Sequence, residues 1–279
     1  MAVDDDSALQ SREFAWTPAD FTRIQQLIYR HAGISLHDGK QAMVYSRIAR
    51  RLRDTGHGSF RNYLDWLEQH GSADEWQEFV NALTTNLTSF FRENHHFVEL
   101  ARLLKEGGAG HEWKVWCSAA STGEEPYSIA ITLADALGLN GRFRIWASDI
   151  DTKVLQTASR GVYKLDGLKN VSPDQLRKYF LKGTGHNSGL ARVRPELQKH
   201  IQFFNLNLIE DSWALREEFD VVFCRNVMIY FDNTTQRQVL ARIHRLMKPK
   251  GTLFVGHAEN FSDARSLFAL RGKTVYEKV

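Results

Sequence analysis

From Trp113 onward, short apolar runs alternate with amphipathic stretches, and this alternation constrains the fold more than any other feature of the chain. The strand candidates are 113–117, 143–148, 201–204, 219–224 and 252–256; the helix candidates between them are 127–137, 152–159 and 234–247. A βαβα order of this kind predicts a parallel sheet with helices on both faces. Ligands of such sheets sit beyond the carboxyl ends of the strands. Chemistry is therefore expected just after Cys117, Ser148, Phe204 and Cys224.

The chain before this region has a different texture. Residues 17–82 read as helices alone. Thr17 suits an N-cap and Pro18 a first helical position, and Phe21, Ile24, Leu27 and Ile28 follow at helical spacing. A second helix is expected over 40–53, ended by the glycine-rich break 55–58. Two more helical stretches carry Tyr63, Leu64 and Leu67, then Trp76, Phe79, Val80 and Leu83. On the second helix, Val44, Tyr45, Ile48, Ala49 and Leu52 share one face, and Arg47, Arg50, Arg51 and Arg53 are placed on the opposite one. Such a face is either plain solvated charge or a docking surface for an acidic partner. The organisation predicted is a helical domain over 14–83, a linker over 84–94, and a sheet domain over 95–279. An insertion at about 164–200 interrupts the sheet domain. It opens with the capping-box pattern Ser172-Pro173-Asp174-Gln175 and continues into a turn-rich loop, 182–189, that reads as part of a hairpin.

The strand ends carry the polar groups that matter. After the first strand comes Ser118-Ala119-Ala120-Ser121-Thr122-Gly123, all small side chains, against whose backbone a ligand can lie. Glu124, Glu125 and Pro126 follow. An acidic pair beside a small-residue loop suits a cationic ligand, whereas a phosphate loop would place Lys there; the alternative is a plain strand-to-helix turn. Asp149 ends the second strand, where an acid commonly holds ribose hydroxyls, and Asp151 suits a helix cap. Asn205 and Asn207 follow the third strand, and Arg225 and Asn226 the fourth. The segment 86–92, NLTSFFR, lies where the two regions meet and is read either as a cleft wall or as a linker packed by Phe90 and Phe91. Gly183-Thr184-Gly185 begins like a dinucleotide fingerprint but lacks the third glycine and the strand-to-helix setting. His95-His96 is assigned a surface or junction role, because adjacent helical positions point apart and cannot pair on a metal.

Composition excludes several classes. The acidic start, residues 1–10, has no apolar run to serve as a signal peptide. No stretch reaches the ~18 apolar residues of a membrane span, so a cytoplasmic location without membrane insertion is expected. Cys117 and Cys224 are two distant thiols in apolar strands, which gives neither a disulfide framework nor a zinc site. Metal is not expected.

WCSAASTGEEPYSIA, NLTSFFRENHHF, ASDID, CRNVMIYFD and GHAENF occur in one order along the chain. Together they resemble the CheR-type chemotaxis receptor methyltransferases, over about residues 14–279. The resemblance implies a Rossmann-like S-adenosylmethionine-dependent methyltransferase sheet with a small N-terminal all-helical domain and an inserted antiparallel β-subdomain. It implies methyl transfer from S-adenosyl-L-methionine to glutamate carboxylates of membrane chemoreceptors, with S-adenosyl-L-homocysteine as product. It carries cofactor contacts to Asn86, Thr88, Arg92, Glu124, Asp149, Asn207, Leu208, Arg225 and Asn226, and places Arg92 and Tyr230 beside the reacting methyl. Glu124 is expected at the methionine amino group and Asp149 at the ribose. The loop with Gly183, Gly185, Gly189 and Arg192 resembles the version that grips a pentapeptide at the receptor C-terminus. The partners implied are the methylation helices of methyl-accepting receptors, toward which Arg47, Arg50, Arg51 and Arg53 would steer. A monomer recruited to receptor arrays is the expected state.

Elementary chemistry agrees with this reading. A glutamate carboxylate, with a pKa near ~4.3, is already ionised at neutral pH, so its attack on a sulfonium methyl needs no general base. A nucleic-acid methyltransferase is the weaker reading: Pro18, Pro126, Pro173, Pro195 and Pro249 never adjoin, so the Pro-Pro element of amino-methylating DNA enzymes is absent. A sensor that has lost turnover is the other alternative.

Overall fold

The computed structural model describes residues 13–108, 110–261 and 265–279. The acidic segment 1–10 lies outside the described residues. The chain divides into two compact units, Met1–Thr85 and Asn86–Val279.

In the first unit, α1 (Pro18–Ala32) starts at Thr17, whose side chain accepts from Asp20 N while the Asp20 side chain accepts from Thr17 N in return. This capping box satisfies two of the amide donors that every helix start leaves orphaned. A 3-10 turn, Asp38–Lys40, leads into α2 (Gln41–Thr55), which stops at Gly56 with φ 74°, a left-handed position that glycine fills without strain. The bundle is completed by α3 (Phe60–His70) and α4 (Ala73–Leu83), capped by Ser59 and Ser72. Ile24, Leu27, Val44, Ile48, Leu52, Leu64 and Phe79 fill the core with no exposed surface.

The four α2 arginines do not share one solvated face. Arg47 donates to the carbonyls of Ala82 and Thr84 at the end of α4. Arg51 pairs with Glu75 at 2.5 Å and with Asp54 and Glu78. Only Arg50 and Arg53 are exposed. The reason is that α2 packs against α1, α3 and α4 at once. Its buried arc is therefore wider than its apolar stripe. Arg47 and Arg51 carry their guanidinium heads to α4 residues and to its C-terminal end.

The second unit opens with α5 (His95–Glu106), then β1 (Trp113–Cys117), α6 (Glu124–Leu137), β2 (Phe143–Asp149) and α7 (Thr152–Arg160). The insertion follows as β3 (Val162–Lys164), α8 (Pro173–Tyr179), β4 (Phe180–Lys182), β5 (Leu190–Val193) and α9 (Pro195–Gln198). The chain then returns through β6 (Ile201–Asn205), β7 (Phe219–Cys224), α10 (Asn233–Leu246), β8 (Met247–Val255), β9 (Phe268–Gly272) and β10 (Val275–Lys278). The seven-stranded sheet has the order β6-β2-β1-β7-β8-β10-β9. Five neighbouring strands are parallel, but β10 runs antiparallel to both β8 and β9, so the sheet is mixed where a parallel one was expected. The last two strands are short and joined by a tight turn, a connection that only antiparallel strands permit.

Alternate residues of the central strands feed two cores. Val115, Cys117, Phe223 and Phe254 pack with α5 and α6 on one face. Trp116, Val222, Cys224 and Leu253 pack with α10 on the other. From β1 the chain moves outward through β2 to β6, then crosses back to β7 and β8. The order reverses between β1 and β7, and ligands of such sheets bind at that crevice.

The insertion is more than a hairpin: β4 and β5 form one, and β3 pairs with β5 as a third antiparallel strand. Its helix α8 is capped by the Ser172–Gln175 box, as the sequence predicts. Of the surface or junction role expected for His95-His96, the surface alternative fails for His96, which is fully buried. Its Nε2 lies 2.7 Å from Thr274 Oγ1, and burial, with the Arg225 charge, pushes its pKa down to about 2, so the ring is neutral. Among the described residues, no helix is long and apolar enough to cross a membrane, and no cluster of three or more His, Cys, Asp or Glu is placed to hold a metal.

Candidate active site

The strand ends around the β1–β7 crevice form one continuous rim, hydrogen-bonded from loop to loop. Ser118 to Gly123 leave β1 as a tight turn, with Ser121 at φ 47° and Gly123 at φ 101°. Ser121 is the hub of this turn. Its N–H donates to Asp149 Oδ2 at 2.8 Å, and its hydroxyl donates to the Asn86 carbonyl at 3.0 Å. Asn86 in turn donates from Nδ2 to Asp151 Oδ2 at 2.8 Å. Asp151 caps α7 by accepting from Lys153 N and Val154 N, the role its position predicts.

Asp149 is 8% exposed and accepts one backbone N–H on each oxygen, from Ser121 and Asp151. Burial lifts its pKa to about 6 against the lowering effect of those donors. Leu206 N and Asn205 Nδ2 both donate to the Asp149 carbonyl, which brings the end of β6, with Asn207 and Leu208, beside the end of β2. Asn207 Oδ1 accepts from Ile209 N at 3.2 Å, and Leu208 is buried. Glu124 opens α6, accepts from Thr122 Oγ1 at 2.6 Å, and is half-buried; burial raises its pKa.

The Arg225 side chain is fully buried. Nη1 bonds Glu125 at 2.5 Å, while Nη2 lies 3.3 Å from Glu93 and donates to the carbonyl of Arg92 at 2.5 Å. Burial works to raise the Glu93 carboxyl, but the Arg225 charge and hydrogen bond hold it below the usual carboxylate range. Glu125 is pushed up by its complete burial, although Arg225 opposes this. One cation thus joins three segments: the loop before α5, the first turn of α6 and the end of β7. The loop is held in an uncommon backbone conformation, with Phe91 at φ 52° and Glu93 at φ 56°. Positions of this kind persist only where the surroundings over-determine them.

Arg92 and Tyr230 are both half-exposed on the rim. Arg92 Nη1 donates to the Leu87 carbonyl at 2.9 Å, which folds the side chain over its own loop. Tyr230 ends a 3-10 turn, Met228–Tyr230, just past β7. Thr88 lies in the same loop as Arg92 and is half-buried. Asn226, half-buried, takes φ 58°, a left-handed conformation in which Asn is enriched among non-glycine residues.

The remaining candidates lie elsewhere. Gly183, Gly185, Gly189 and Arg192 sit on the β4–β5 connection and on β5, with Arg192 exposed at the centre of the three-stranded sheet. A Cβ at Gly183 would meet the Asn187 carbonyl at 2.1 Å, so the tight loop demands glycine there. Tyr163 on β3 links this subdomain to the rim by donating to the Thr122 carbonyl at 2.8 Å. Arg47, Arg50, Arg51 and Arg53 belong to the helical unit. Cys117 and Cys224 are buried and their thiols are held protonated by burial.

Sequence reasoning missed Glu93 and Glu259, the two carboxylates that brace the rim from behind. Glu259 accepts from the N–H groups of Gly256, Asn226, Val227 and Met228. The one available signal was an acid in the segment GHAENF, which follows the end of β8.

The donor set fits S-adenosyl-L-methionine. Two acids, Glu124 and Asp149, flank a turn of small residues, which suits a ligand bearing a positive charge and a hydroxylated sugar. Two family models match the chain: the CheR methyltransferase all-alpha domain over residues 19–84, and the CheR methyltransferase SAM binding domain over residues 86–276. The chain belongs to the CheR methyltransferase family. Its second unit is therefore an S-adenosylmethionine-binding methyltransferase domain. Among curated relatives it is 54% identical to the chemotaxis protein methyltransferase of Salmonella typhimurium, over 95% of this chain and 92% of that one. It is 53% identical to the Escherichia coli protein of the same name, over 95% and 93%. Chemotaxis protein methyltransferase 2 of Pseudomonas aeruginosa is 48% identical over 95% of each chain. As a CheR family member, the chain carries polar side chains at every rim position the sequence singled out, with Leu208 as the apolar exception.

Proposed function

We propose that this CheR family member acts in chemotaxis by methylating glutamate side chains of membrane chemoreceptors, forming glutamyl methyl esters. The observation that carries the reading is the placement of Arg92. It is a half-exposed cation whose carbonyl is fixed by Arg225, on the rim that also bears Glu124 and Asp149. The names of the close relatives support the chemotactic setting.

S-adenosyl-L-methionine supplies a methyl group on a sulfonium and leaves as S-adenosyl-L-homocysteine. Asp149 accepts from ribose hydroxyls, Glu124 from the methionine ammonium, and Asn86, Thr88, Asn207, Leu208 and Asn226 complete the contacts. Arg92 orients the acceptor carboxylate by a fork of charge-assisted hydrogen bonds, and Tyr230 donates to it or shapes its pocket. No side chain takes a proton, because the acceptor arrives ionised. Alignment of reactants is the protein's main contribution, and it is worth roughly 7–11 kcal/mol in favourable cases. Arg50 and Arg53 steer glutamate-rich receptor helices, and the Gly183–Arg192 loop grips a receptor's C-terminal pentapeptide.

The test is transfer of radiolabelled methyl from S-adenosyl-L-methionine to receptor-containing membranes, followed by base treatment. Label released as methanol is the expected result. Label that is stable to base, or that appears in nucleic acid, would overturn the reading.

A further inference from the structure

Behind the rim, Glu259 is 4% exposed and spends its carboxylate wholly on backbone N–H groups. Oε1 accepts from Val227 N at 2.9 Å and Met228 N at 2.8 Å; Oε2 accepts from Asn226 N at 2.9 Å and Gly256 N at 2.5 Å. Three consecutive N–H groups converging on one point form a nest, an arrangement that binds anions. Here the anion is internal. Its donors are the residues that turn the chain out of β7: Asn226 at φ 58°, then the start of the 3-10 turn that ends in Tyr230. From the other side, Gly256 confines Asn226, since a Cβ at 256 would come within 2.3 Å of Asn226 Nδ2.

We propose that Glu259 is a positioning residue for the cofactor, the carboxylate that fixes the backbone of Asn226–Met228 so that Asn226 meets S-adenosylmethionine and Tyr230 meets the acceptor. The part concerning Tyr230 rests on the function proposed above; the part concerning Asn226 needs only cofactor binding. Among the described residues, no other side chain accepts from these three N–H groups. Tyr230 N and Phe231 N bond within the turn itself, and Gln236 reaches only the carbonyls of Met228 and Phe231. Replacing the carboxylate by an amide leaves the donors of one oxygen facing an NH2 group, which loosens the main chain that carries Asn226.

The test is calorimetric titration of S-adenosyl-L-homocysteine into wild type, Glu259→Gln, Asn226→Ala and the double variant. Gln keeps the size but turns an NH2 group toward the donors of one oxygen. Glu259→Gln is expected to weaken binding about tenfold, a change of about 1.4 kcal/mol. Asn226→Ala is expected to cost far less in that background than in wild type, because residues acting as one unit are not additive. Binding by Glu259→Gln within twofold of wild type, or fully additive costs, would overturn the proposal, whatever the change in melting temperature. If Glu259→Gln does not fold, Glu259→Asp carries the same readout: it keeps the charge and shortens the reach, and wild-type binding by it overturns the proposal equally. Wild-type protein that fails to methylate receptors, while this coupling is intact, would sink the proposed function and leave the role of Glu259 standing.

Discussion

The Arg225 guanidinium donates to the main-chain carbonyl of Arg92 at 2.5 Å, so the end of β7 holds the loop that carries the arginine assigned to the acceptor. The donor is itself fully buried between Glu93 and Glu125. A mistake in this joint is felt in stability and in activity together. Arg225→Ala strips the cation from two buried carboxylates, and breaking a buried pair costs about 3–5 kcal/mol. Urea denaturation is expected to register a loss of that order. Loss below about 1 kcal/mol would mean that water already screens the joint.

Arg92→Ala touches the solvent side of the same loop and leaves the buried joint intact. Turnover on receptor membranes should fall about 100-fold, which is about 2.7 kcal/mol in barrier height. The melting temperature should be unchanged. A variant that keeps both wild-type turnover and wild-type cofactor affinity would remove Arg92 from the mechanism.

Cofactor affinity should depend on pH through Asp149. Burial raises its pKa from 3.8 to about 6, and only the ionised form accepts from both ribose hydroxyls. Affinity for S-adenosyl-L-homocysteine is therefore expected to be flat above pH 7 and to weaken as pH falls through about 6. The sign for the unliganded fold is opposite. A raised folded pKa means the folded state binds more protons between pH 3.8 and about 6, so this group's contribution to stability is full at the acid end and is lost as pH rises through that window. Titrations from pH 5 to 8 check the first statement, and Asp149→Asn should flatten the profile.

The α2 arginines separate into two pairs with different expected phenotypes. Arg50→Glu with Arg53→Glu should slow receptor methylation at low salt and approach wild type at high salt, because exposed charges are screened beyond about 8 Å at physiological ionic strength. The melting temperature should hold. Arg51→Ala should instead destabilise the helical unit, because it abandons Glu75, which Tyr63 also bonds at 2.8 Å within the core. Salt-independent rates in the charge-reversal variant would end the steering hypothesis.

Local chemistry decided much of this protein from the sequence alone. The caps at Thr17, Asp151 and Ser172, the stop at Gly56, and the strands ending at Cys117 and Cys224 depend on neighbours a few residues away, so they are legible in one dimension. Asp149, Asn207 and Asn226 were legible as rim positions for the same reason: each lies at or just past the end of a strand in the parallel part of the sheet. What the tertiary structure alone decided is which charges face inward. Arg225 is fully buried because Glu93 and Glu125, from distant segments, pair with it. Arg47 and Arg51 read as solvated until α4 packs beside α2. Glu259 reads as an ordinary acid until a strand end 33 residues earlier folds its three N–H groups onto it. Each is a buried charge whose partners are remote in sequence, and burial of that kind is a property of packing that helical or strand periodicity does not encode.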